Sequence, residues 1–381
     1  MPPRSFLVIA TSLIALLHAY IGWQILPDLP FGTTGHIAGI AGLVLSTLLM
    51  PLGLLSRAIH RQPLSDRLAW AGLLAMGLFS SLLVLTVLRD LSLLAVSALL
   101  PAMLPRLLTP SAEAVLLLAA LITLVGLVNA RRRARVKDVD VPLRGLPEAL
   151  NGFTIAQISD IHVGPTIKRR YLEQIVDAVN ALDADLIAVT GDLVDGSVPQ
   201  LASHTAPLER LVARHGSYFV TGNHEYYSGA HAWIAELRRL GLTVLMNEHV
   251  VVEHGGASLV VAGVTDYSAH QFDPSHRSDP QAALAGAPAD VAVKLLLAHQ
   301  PRSASAAAQA GFDLQLSGHT HGGQFLPWNL FVPLQQPFTA GLHRLQALWV
   351  YVSRGTGYWG PPKRFGAPSE ITRLRLVPAA D

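Results

Sequence analysis

Four long apolar runs fill the first third of the chain. They cover about residues 6–26, 36–55, 68–88 and 112–128. A helix needs about 20 residues to cross a bilayer core, and a chain in lipid must satisfy its own backbone polar groups, so these runs favour helices over strands. The first run is long for the apolar part of a signal peptide and further spans follow it, so we interpret it as a retained anchor. The pattern predicts a bundle of about four transmembrane helices over residues 1–130.

Lys and Arg residues beside these runs predict the orientation of the helices. Arg57, Arg61 and Arg67 lie between the second and third runs, and RRRARVK (131–137) follows the fourth, whereas the loop PDLPFGTTG after the first run has neither Lys nor Arg. Because such residues remain preferentially in the cytoplasm, we expect a multi-pass protein of the cell membrane with the rest of the chain on the cytoplasmic side. We expect residues 131–149 to form a basic juxtamembrane linker.

The predicted topology depends on whether residues 91–105 cross the membrane. They are apolar, but the run is short and Pro101 interrupts it. We predict an interfacial or re-entrant segment here. The alternative is a fifth span, which would place everything downstream on the other side of the membrane.

The pattern changes after this region to short apolar runs separated by polar, glycine-rich turns. FTIAQISD, DLIAVTGD, SYFVTGNHE, VKLLLAHQ and FDLQLSGHTH each predict a buried strand that ends in polar residues. Between the first two, Tyr171, Ile175, Val179 and Leu182 recur at helical spacing. Residues 150–381 are therefore predicted to form one layered α/β domain, which is a suitable size for a single core.

The amino-acid composition of the chain limits the kinds of molecule that it is expected to bind. Up to residue 150 there are 12 Lys and Arg against 7 Asp and Glu, while the whole chain carries +2, so the basic excess belongs to the apolar part. We expect no nucleic-acid binding on this basis, and no obligate protein partner is evident. The chain has no cysteine, which excludes disulfides and thiolate metal ligands.

Polar residues stand at the ends of the predicted strands. In an open α/β sheet the carboxyl ends of the strands meet at one crevice, so these side chains are candidates for one shared site. Carboxylates, an amide and imidazoles suit divalent Mn, Fe or Zn, and seven ligands are more than one ion requires. Two ions that share one carboxylate would use them all. The polar residues at the strand ends are Asp160, His162, Asp192, Asn223, His224, His299, His319 and His321, of which all but His224 are counted as ligands.

The ordered motifs D-x-H, G-D, G-N-H-E, a lone His and G-H-x-H resemble the calcineurin-like metallophosphoesterase superfamily. The endings GHTHGGQ and SRGTGYWGPPKRFGAPSEI look more specifically like its bacterial membrane-associated phosphoesterases. The resemblance covers about residues 150–380. It implies a β-sandwich flanked by helices and a metal-dependent phosphoesterase activity.

The resemblance also implies a role for each motif residue. One metal would be held by Asp160, His162, Asp192 and His321, and the second by Asp192, Asn223, His299 and His319, with Asp192 as the bridge. A hydroxide that bridges the ions would attack phosphorus. His224 would be catalytic, by stabilising the transition state or protonating the leaving oxygen.

The motif GHTHGG also carries a geometric expectation. We expect His319 and His321 to lie on the same side of an extended backbone, because side chains alternate with period two. Gly322 and Gly323 would then allow a sharp turn beside the site.

Several neighbouring residues remain candidates only. Glu225 and Asp195 would orient ligands, with a solvated turn as the alternative for Asp195. The loop DYSAHQFDPSHRSD offers further candidates to line a substrate crevice, whereas His231 is expected to be an ordinary surface histidine. The loop candidates are Asp266, His270, Asp273 and His276.

Residues 324–342 contain no Asp, Glu, Lys or Arg but include Trp328 and Phe331. One hypothesis is that this stretch enters the bilayer interface and brings the site to a lipid-like phosphoester. The alternative is that it packs as a second hydrophobic cluster inside the domain.

The leading functional hypothesis is a membrane-anchored dinuclear-metal phosphoesterase acting on phosphomonoesters or phosphodiesters, with lipid-like substrates as one class. The alternative is a transporter or receptor regulated by an attached phosphoesterase domain. The runs contain almost no charge, with His18 as the notable ionisable residue, and this favours an anchor.

Overall fold

The computed structural model describes residues 4–56, 59 and 61–379, so Arg57 of the topology argument lies outside the described residues. Its contacts divide the chain into two compact units. The helical unit holds Met1–Arg131 and Gly360–Phe365, and the sheet unit holds Arg132–Trp359 and Gly366–Asp381.

The helical unit contains four helices that are long and apolar enough to cross a membrane. They correspond to the four predicted spans. They are α1 (Arg4–Ile25), α2 (Thr33–Leu55), α3 (Leu64–Leu99) and α4 (Leu104–Arg131).

Residues 91–105 form no separate fifth helix among the described residues, and their interfacial or re-entrant position stays a prediction. Helix α3 continues to Leu99, a short 3-10 turn covers Pro101–Met103, and α4 begins at Leu104. Proline is tolerated in a turn and in the first turn of a helix, where its missing N–H has no helical partner, so neither Pro101 nor Pro105 prevents this arrangement. At 1.5 Å per residue α3 is about 54 Å long, which exceeds a bilayer core of about 30 Å.

Arg89 is a charged side chain that is buried within the helical unit. Arg89 of α3 donates hydrogen bonds to Gln24 O at 2.8 Å and to Ser111 Oγ at 2.8 Å, and it forms an ion pair with Asp28. These partners come from α1, α4 and the turn after α1. Because its charge is paired and its N–H groups are used, Arg89 joins three segments of the unit and is compatible with a structural role.

The segment Gly360–Phe365 also packs in the helical unit, although it is more than 200 residues further along the chain than α4. Lys363 Nζ donates to Gly77 O at 2.8 Å and to Ser81 Oγ at 2.5 Å, both on α3. Arg364 N donates to Gly126 O on α4 at 2.9 Å. The hydrophobic pattern of the sequence contains no sign of this contact.

The sheet unit consists of two six-stranded sheets with helices around them. The first sheet has the order β1-β12-β2-β3-β4-β5 and the second β10-β11-β9-β8-β7-β6. The strands are β1 (Arg135–Leu143), β2 (Thr154–Ile158), β3 (Leu186–Val189), β4 (Ser217–Phe219), β5 (Thr243–Val244), β6 (Glu248–His254), β7 (Ala257–Gly263), β8 (Val293–Leu297), β9 (Leu314–Ser317), β10 (Gly341–Leu345), β11 (Leu348–Val352) and β12 (Glu370–Pro378). The helices are α5 (Arg169–Asn180), α6 (Val198–Thr205), α7 (Asn223–Ser228), α8 (Ala230–Arg239), α9 (Pro280–Ala283), α10 (Ala304–Ala310) and α11 (Trp328–Gln335).

Nine residues of the interval 131–149, predicted as a linker, belong to a sheet as strand β1. Strand β1 runs parallel to β12, from the pair Arg135↔Glu370 to the pair Leu143↔Pro378. Arg375 supports this pairing through a bidentate contact with Asp140 at 2.8 Å. One face of this strand is exposed and the other enters the core, so charged residues alternate with apolar ones along it. The strand was not predicted from the sequence because of these charged residues.

Alternation of side chains along the strands divides the second sheet between two apolar layers. Leu259 and Val261 of β7 face the core between the two sheets, whereas Val260 and Ala262 face a second cluster that includes Ala304 and other residues of α10. Helix α5 buries Leu172, Ile175 and Val179. The predicted fold class, apolar helices followed by a β-sandwich flanked by helices, is confirmed.

Candidate metal centre

The motif residues all follow the carboxyl ends of buried strands, as the sequence predicts. Asp160 and His162 follow β2, Asp192 follows β3, and Asn223 and His224 begin α7 just after β4. His299 follows β8, while His319 and His321 follow β9. The inner strands β2 to β4 and β7 to β9 are parallel within their sheets, so their loops emerge at common edges.

The first group of ligand-type atoms comes from Asp160, His162 and His321. The two Nε2 atoms of the histidines are 3.1 Å apart, and His321 Nε2 is 3.5 Å from Asp160 Oδ1. Atoms bound at about 2.0–2.2 Å to one tetrahedral ion lie about 3.3–3.6 Å apart. The spacing of this group therefore fits one cation.

The second group consists of Asp192, His299 and His319. His299 Nε2 is 3.2 Å from Asp192 Oδ2 and 3.2 Å from His319 Nδ1. Asp192 Oδ2 is also 3.9 Å from His162 Nε2, which belongs to the first group. One carboxylate oxygen thus lies between the two sets of imidazoles, where a bridging ligand is expected.

Asn223 adds an amide to this cluster. Its Oδ1 atom is buried and has no well-formed hydrogen bond among the described residues, although the Tyr227 hydroxyl is close enough to interact with the amide. A buried polar atom of this kind is costly unless a ligand or water pairs with it. The donor set therefore fits divalent cations. The individual ligand assignments remain a prediction.

Hydrogen bonds from outside the cluster orient the ligands. His299 Nδ1 lies 2.8 Å from Thr190 O and can donate to it, which leaves Nε2 for the site. The backbone N–H of His319 donates to both oxygens of Asp160, at 2.9 and 3.0 Å. These contacts hold the side chains in their positions before any ion binds.

The backbone of the site is strained. Asp160, His162, Asp192, His319 and His321 all have positive φ, between 52° and 70°. Left-handed backbone is uncommon outside glycine and clusters at functional sites, where surrounding contacts maintain it. The expectation of an extended backbone at His319 and His321 is therefore wrong: β9 ends at Ser317, and His321–Gly323 forms a 3-10 turn.

Two motif glycines allow neighbouring segments to approach the ligands closely. A Cβ atom on Gly222 would lie 2.2 Å from Asp192 Oδ1, and one on Gly318 would lie 2.1 Å from Asp160 Oδ2. Both distances are far below van der Waals contact. The glycines of G-N-H-E and G-H-x-H are thus required by space beside the carboxylates.

Glu225 joins the loop after β3 to the loop after β4. Its carboxylate accepts backbone N–H groups from Gly222 at 2.7 Å, Asp192 at 3.0 Å and Leu193 at 2.8 Å. Burial, followed by the negative charge of Asp192, raises the pKa of Glu225 to about 7. The structure places Glu225 in a supporting position, as the sequence suggested.

His224 stands beside the two groups and pairs with Asp195. His224 Nδ1 is 2.5 Å from Asp195 Oδ1, and the backbone N–H of His224 donates to Asp192 Oδ1 at 2.9 Å. Burial opposes the charged imidazole, but the carboxylates of Asp192 and Asp195 outweigh it and raise the pKa of His224 to about 9. Asp195 is buried, so the alternative of a solvated turn at this position is wrong.

Three exposed aromatic side chains surround His224, and sequence reasoning missed them. The ring centroids of Tyr227 and Trp359 lie 5.1 and 5.6 Å from that of His224, and Phe272 lies 5.5 Å from Tyr227. Each of the three is about half exposed. We call them the aromatic rim. Nothing in the sequence marked them, because they lie on three separate segments: helix α7, the stretch between β7 and α9, and the stretch between β11 and β12.

The loop candidates of the sequence do not join the described metal groups. Asp266 is buried and accepts hydrogen bonds from Ser268 and Gln300. Asp273 and His276 lie instead with His231 in a separate cluster. His270 is half-buried in a short 3-10 turn.

Residues 324–342 do not form a second hydrophobic cluster as a whole. Phe325 is buried, and Phe338 packs against the cluster beside α10. Between them, no residue of the described helix α11 is buried. Its exposed apolar side chains are Trp328, Leu330, Phe331 and Leu334, with Leu326 just before the helix.

Comparison with known proteins defines the class. Residues 153–323 match the family model of the calcineurin-like phosphoesterase. The chain is 31% identical to an uncharacterized metallophosphoesterase of Aquifex aeolicus, over 64% of this chain and 91% of that protein. It is 38% identical to an uncharacterized metallophosphoesterase of Helicobacter pylori, over 66% of each chain.

The chain therefore belongs to the calcineurin-like metallophosphoesterase family. It is also 41% identical to a transmembrane protein with metallophosphoesterase domain from Danio rerio. That match covers 69% of this chain but only 62% of the Danio rerio protein. Together with the four apolar helices, it indicates a membrane protein.

Proposed function

We propose that this protein holds two divalent cations and hydrolyses phosphomonoesters or phosphodiesters at the cytoplasmic face of the membrane. The observation that carries the proposal is the position of Asp192 Oδ2, which is 3.2 Å from His299 Nε2 and 3.9 Å from His162 Nε2. A single buried carboxylate between two imidazole groups suits a shared ligand. The buried Oδ1 atom of Asn223, which has no well-formed hydrogen bond among the described residues, supports the same arrangement.

Seven residues would hold the ions, in the two sets expected from the family resemblance. Asp160, His162 and His321 would bind one ion, and Asn223, His299 and His319 the other, with Asp192 shared between them. When bound, the cations would neutralise charge on the phosphoryl oxygens and lower the pKa of a coordinated water. Mn, Fe and Zn are the candidate ions, because the donors are oxygens and imidazole nitrogens.

His224 would act on the leaving oxygen. Its Nδ1 atom is occupied by Asp195 at 2.5 Å, so Nε2 is the atom that would hold or transfer a proton. A carboxylate partner fixes the tautomer and the ring orientation in the same way in other histidine catalysts. Asp195 would then be a positioning residue that acts through His224.

Lipid-like phosphoesters are the substrate class that we favour. Two exposed apolar surfaces support this choice: the aromatic rim around His224, and α11 with its neighbour Leu326. They are connected, because Gln324 Nε2 donates to Trp359 O at 2.9 Å and Trp359 N donates to Gln324 Oε1 at 3.0 Å. Exposed apolar patches rarely occur without a binding role, and a chain attached to apolar helices has a bilayer within reach.

The full chain in detergent, supplied with Mn²⁺, would test the activity against phospholipids, nucleotides and phosphopeptides. We expect phosphoester hydrolysis that EDTA abolishes and added Mn²⁺ restores, with phospholipids as the preferred members of the panel. Hydrolysis of nucleotides or phosphopeptides alone would overturn the substrate class. No hydrolysis of any member with Mn²⁺, Fe²⁺ or Zn²⁺ would overturn the proposed function.

The bridging role of Asp192 has its own test. Because the carboxylate would serve both ions, Asp192→Ala should lose both of them and all activity, whereas His321→Ala should weaken mainly one. Metal content per chain, measured by mass spectrometry of the purified protein, distinguishes these outcomes. Two ions retained in Asp192→Ala would refute the shared ligand.

A further inference from the structure

A second cluster of metal-ligand type lies outside the site described above. It consists of His231 at the start of α8, Asp273 just before the short 3-10 turn Pro274–His276, and His276 at the end of that turn. The ligand atoms of all three residues lie within 4.8 Å of one another. None of the three belongs to the motifs of the phosphoesterase family.

The spacing of the cluster fits one cation. His231 Nε2 is 3.1 Å from Asp273 Oδ2, and His276 Nε2 is 3.8 Å from the same oxygen. Ligands of a tetrahedral ion at about 2.0–2.2 Å lie about 3.3–3.6 Å apart, so an ion between the three atoms would require only small movements. The two imidazole rings are not stacked, with centroids 5.0 Å apart and planes at 58°.

Two of the three side chains are already held in a binding orientation. Asp273 Oδ1 accepts the N–H and the hydroxyl of Ser275, at 2.9 and 2.6 Å, which turns Oδ2 toward the histidines. His276 Nδ1 lies 2.9 Å from the Tyr226 hydroxyl. If Nδ1–H donates to that oxygen, the Nε2 lone pair faces the cluster, as in metal sites where a second hydrogen bond fixes the ligand histidine.

The protonation states are also suitable. The hydrogen bonds from Ser275 lower the pKa of Asp273, and burial lowers the pKa of His276. A carboxylate and a neutral imidazole are the forms that bind a metal ion. His231 is largely exposed, so it can adjust to complete the site.

We propose that His231, Asp273 and His276 form a third metal site, separate from the dinuclear centre, that takes one divalent transition-metal ion such as Zn²⁺. Two imidazoles and one carboxylate leave at least one coordination position open to water or to a ligand. A cavity of about 320 Å³ adjoins the cluster and is lined by His231, His276, Asn247, Thr265 and Arg238, among others. The ion would join α8 to the loop that carries Phe272 of the aromatic rim.

Binding at this site should be measurable without reference to activity. We would strip the full chain with EDTA, re-equilibrate it with buffered Zn²⁺ and count zinc per chain by mass spectrometry. His231→Ala and Asp273→Asn should each bind one zinc fewer than the parent, or bind it at least about tenfold more weakly, since even loss of an outer partner costs that much. His270→Ala, in the same loop but outside the cluster, is the matched control and should bind as the parent does.

A second set of variants, built on Asp192→Ala, distinguishes zinc bound at this site from metal bound at the dinuclear centre. In Asp192→Ala, which should lose the central ions, one zinc should remain, and His231→Ala added to that background should remove it. Because His231 is on the surface, its replacement should not affect folding, which the thermal melt of the metal-free protein would verify. Equal zinc content in the parent and in His231→Ala over the whole range of buffered Zn²⁺ concentrations overturns the proposal, whatever the result for Asp192.

Discussion

At the scale of single residues, His224 has the clearest separable role. It lies between Asp195, at 2.5 Å from Nδ1, and the aromatic rim, and in the proposed assignment of ligands it holds no ion. We predict that His224→Ala keeps its metal and loses about 10²–10⁴ in rate, the usual contribution of proton transfer by a positioned side chain. Steady-state kinetics with metal content measured on the same sample checks this prediction.

Comparing substrates with different leaving groups tests whether His224 acts by proton transfer. An alkoxide needs a proton as it departs, whereas a nitrophenolate needs it much less. The loss in His224→Ala should therefore be larger for an alkyl ester than for a nitrophenyl ester of the same phosphate. Equal losses for both esters would indicate that His224 stabilises the transition state in another way, and parental rates would refute any catalytic role.

Gly318 tests the packing around Asp160. A Cβ at this position would lie 2.0 Å from Ser159 Oγ and 2.1 Å from Asp160 Oδ2, so Gly318→Ala must displace the carboxylate. We expect metal affinity to fall by at least about tenfold. Loss of a residue that only hydrogen-bonds to a metal ligand already lowers the affinity by that factor, and displacing the ligand itself should lower it at least as much. Gly311→Ala makes a useful comparison, because a Cβ there meets nothing within 4 Å, although its positive φ adds strain. Metal titration of both variants decides whether space beside Asp160 matters.

At the scale of elements, helix α11 is unusual because its apolar side chains are exposed. Trp328 and Phe331 are each about half exposed, and residues 324–342 carry no charged side chain. We predict that Trp328→Ala with Phe331→Ala reduces hydrolysis of a phospholipid in the same bilayer by at least about tenfold. Burying one large apolar side chain contributes about 1.5–3 kcal/mol to the free energy of binding to the bilayer. A loss of about 1.4 kcal/mol lowers a binding constant tenfold.

A soluble substrate provides the internal control for α11. Hydrolysis of a nitrophenyl phosphodiester by the same reconstituted double variant should remain at the parental rate. Val212→Ser with Val251→Ser, which alters exposed apolar residues elsewhere in the sheet unit, should leave both activities unchanged. A double variant of α11 that processes the lipid at the parental rate would rule out its role at the bilayer.

At the scale of the whole molecule, β1 decides where the sheet unit begins. Val141 and Leu143 of this strand are buried in the core between the two sheets. A fragment that starts at residue 150 loses both, at a cost of about 3–6 kcal/mol, while domains are stable by only about 5–15 kcal/mol. A fragment that starts at Arg132 keeps the strand. Urea unfolding should show a lower midpoint for the shorter fragment, and equal midpoints would contradict the contribution of β1.

The predictions from sequence succeeded where the signal was local. Four apolar runs became four long helices, and five apolar strands ended at the residues of the metal motifs. They failed where contacts joined distant residues. The pairing of β1 with β12, the packing of Lys363 against α3 and the left-handed backbone of His319 and His321 all depend on partners far along the chain.

By itself, the sequence determined the class of this protein, because residue chemistry and hydrophobic period are local properties that can be read in order along the chain. It established which side chains were available to bind metal and which segments were apolar enough for lipid. Only the tertiary structure decided that Asp192 lies between two imidazole groups, that aromatic residues from three separate segments lie around His224, and that His231 meets Asp273 and His276. Those arrangements follow from the packing of two sheets and their loops. Packing depends on contacts between residues that are far apart in the sequence, so it cannot be predicted from any one position alone.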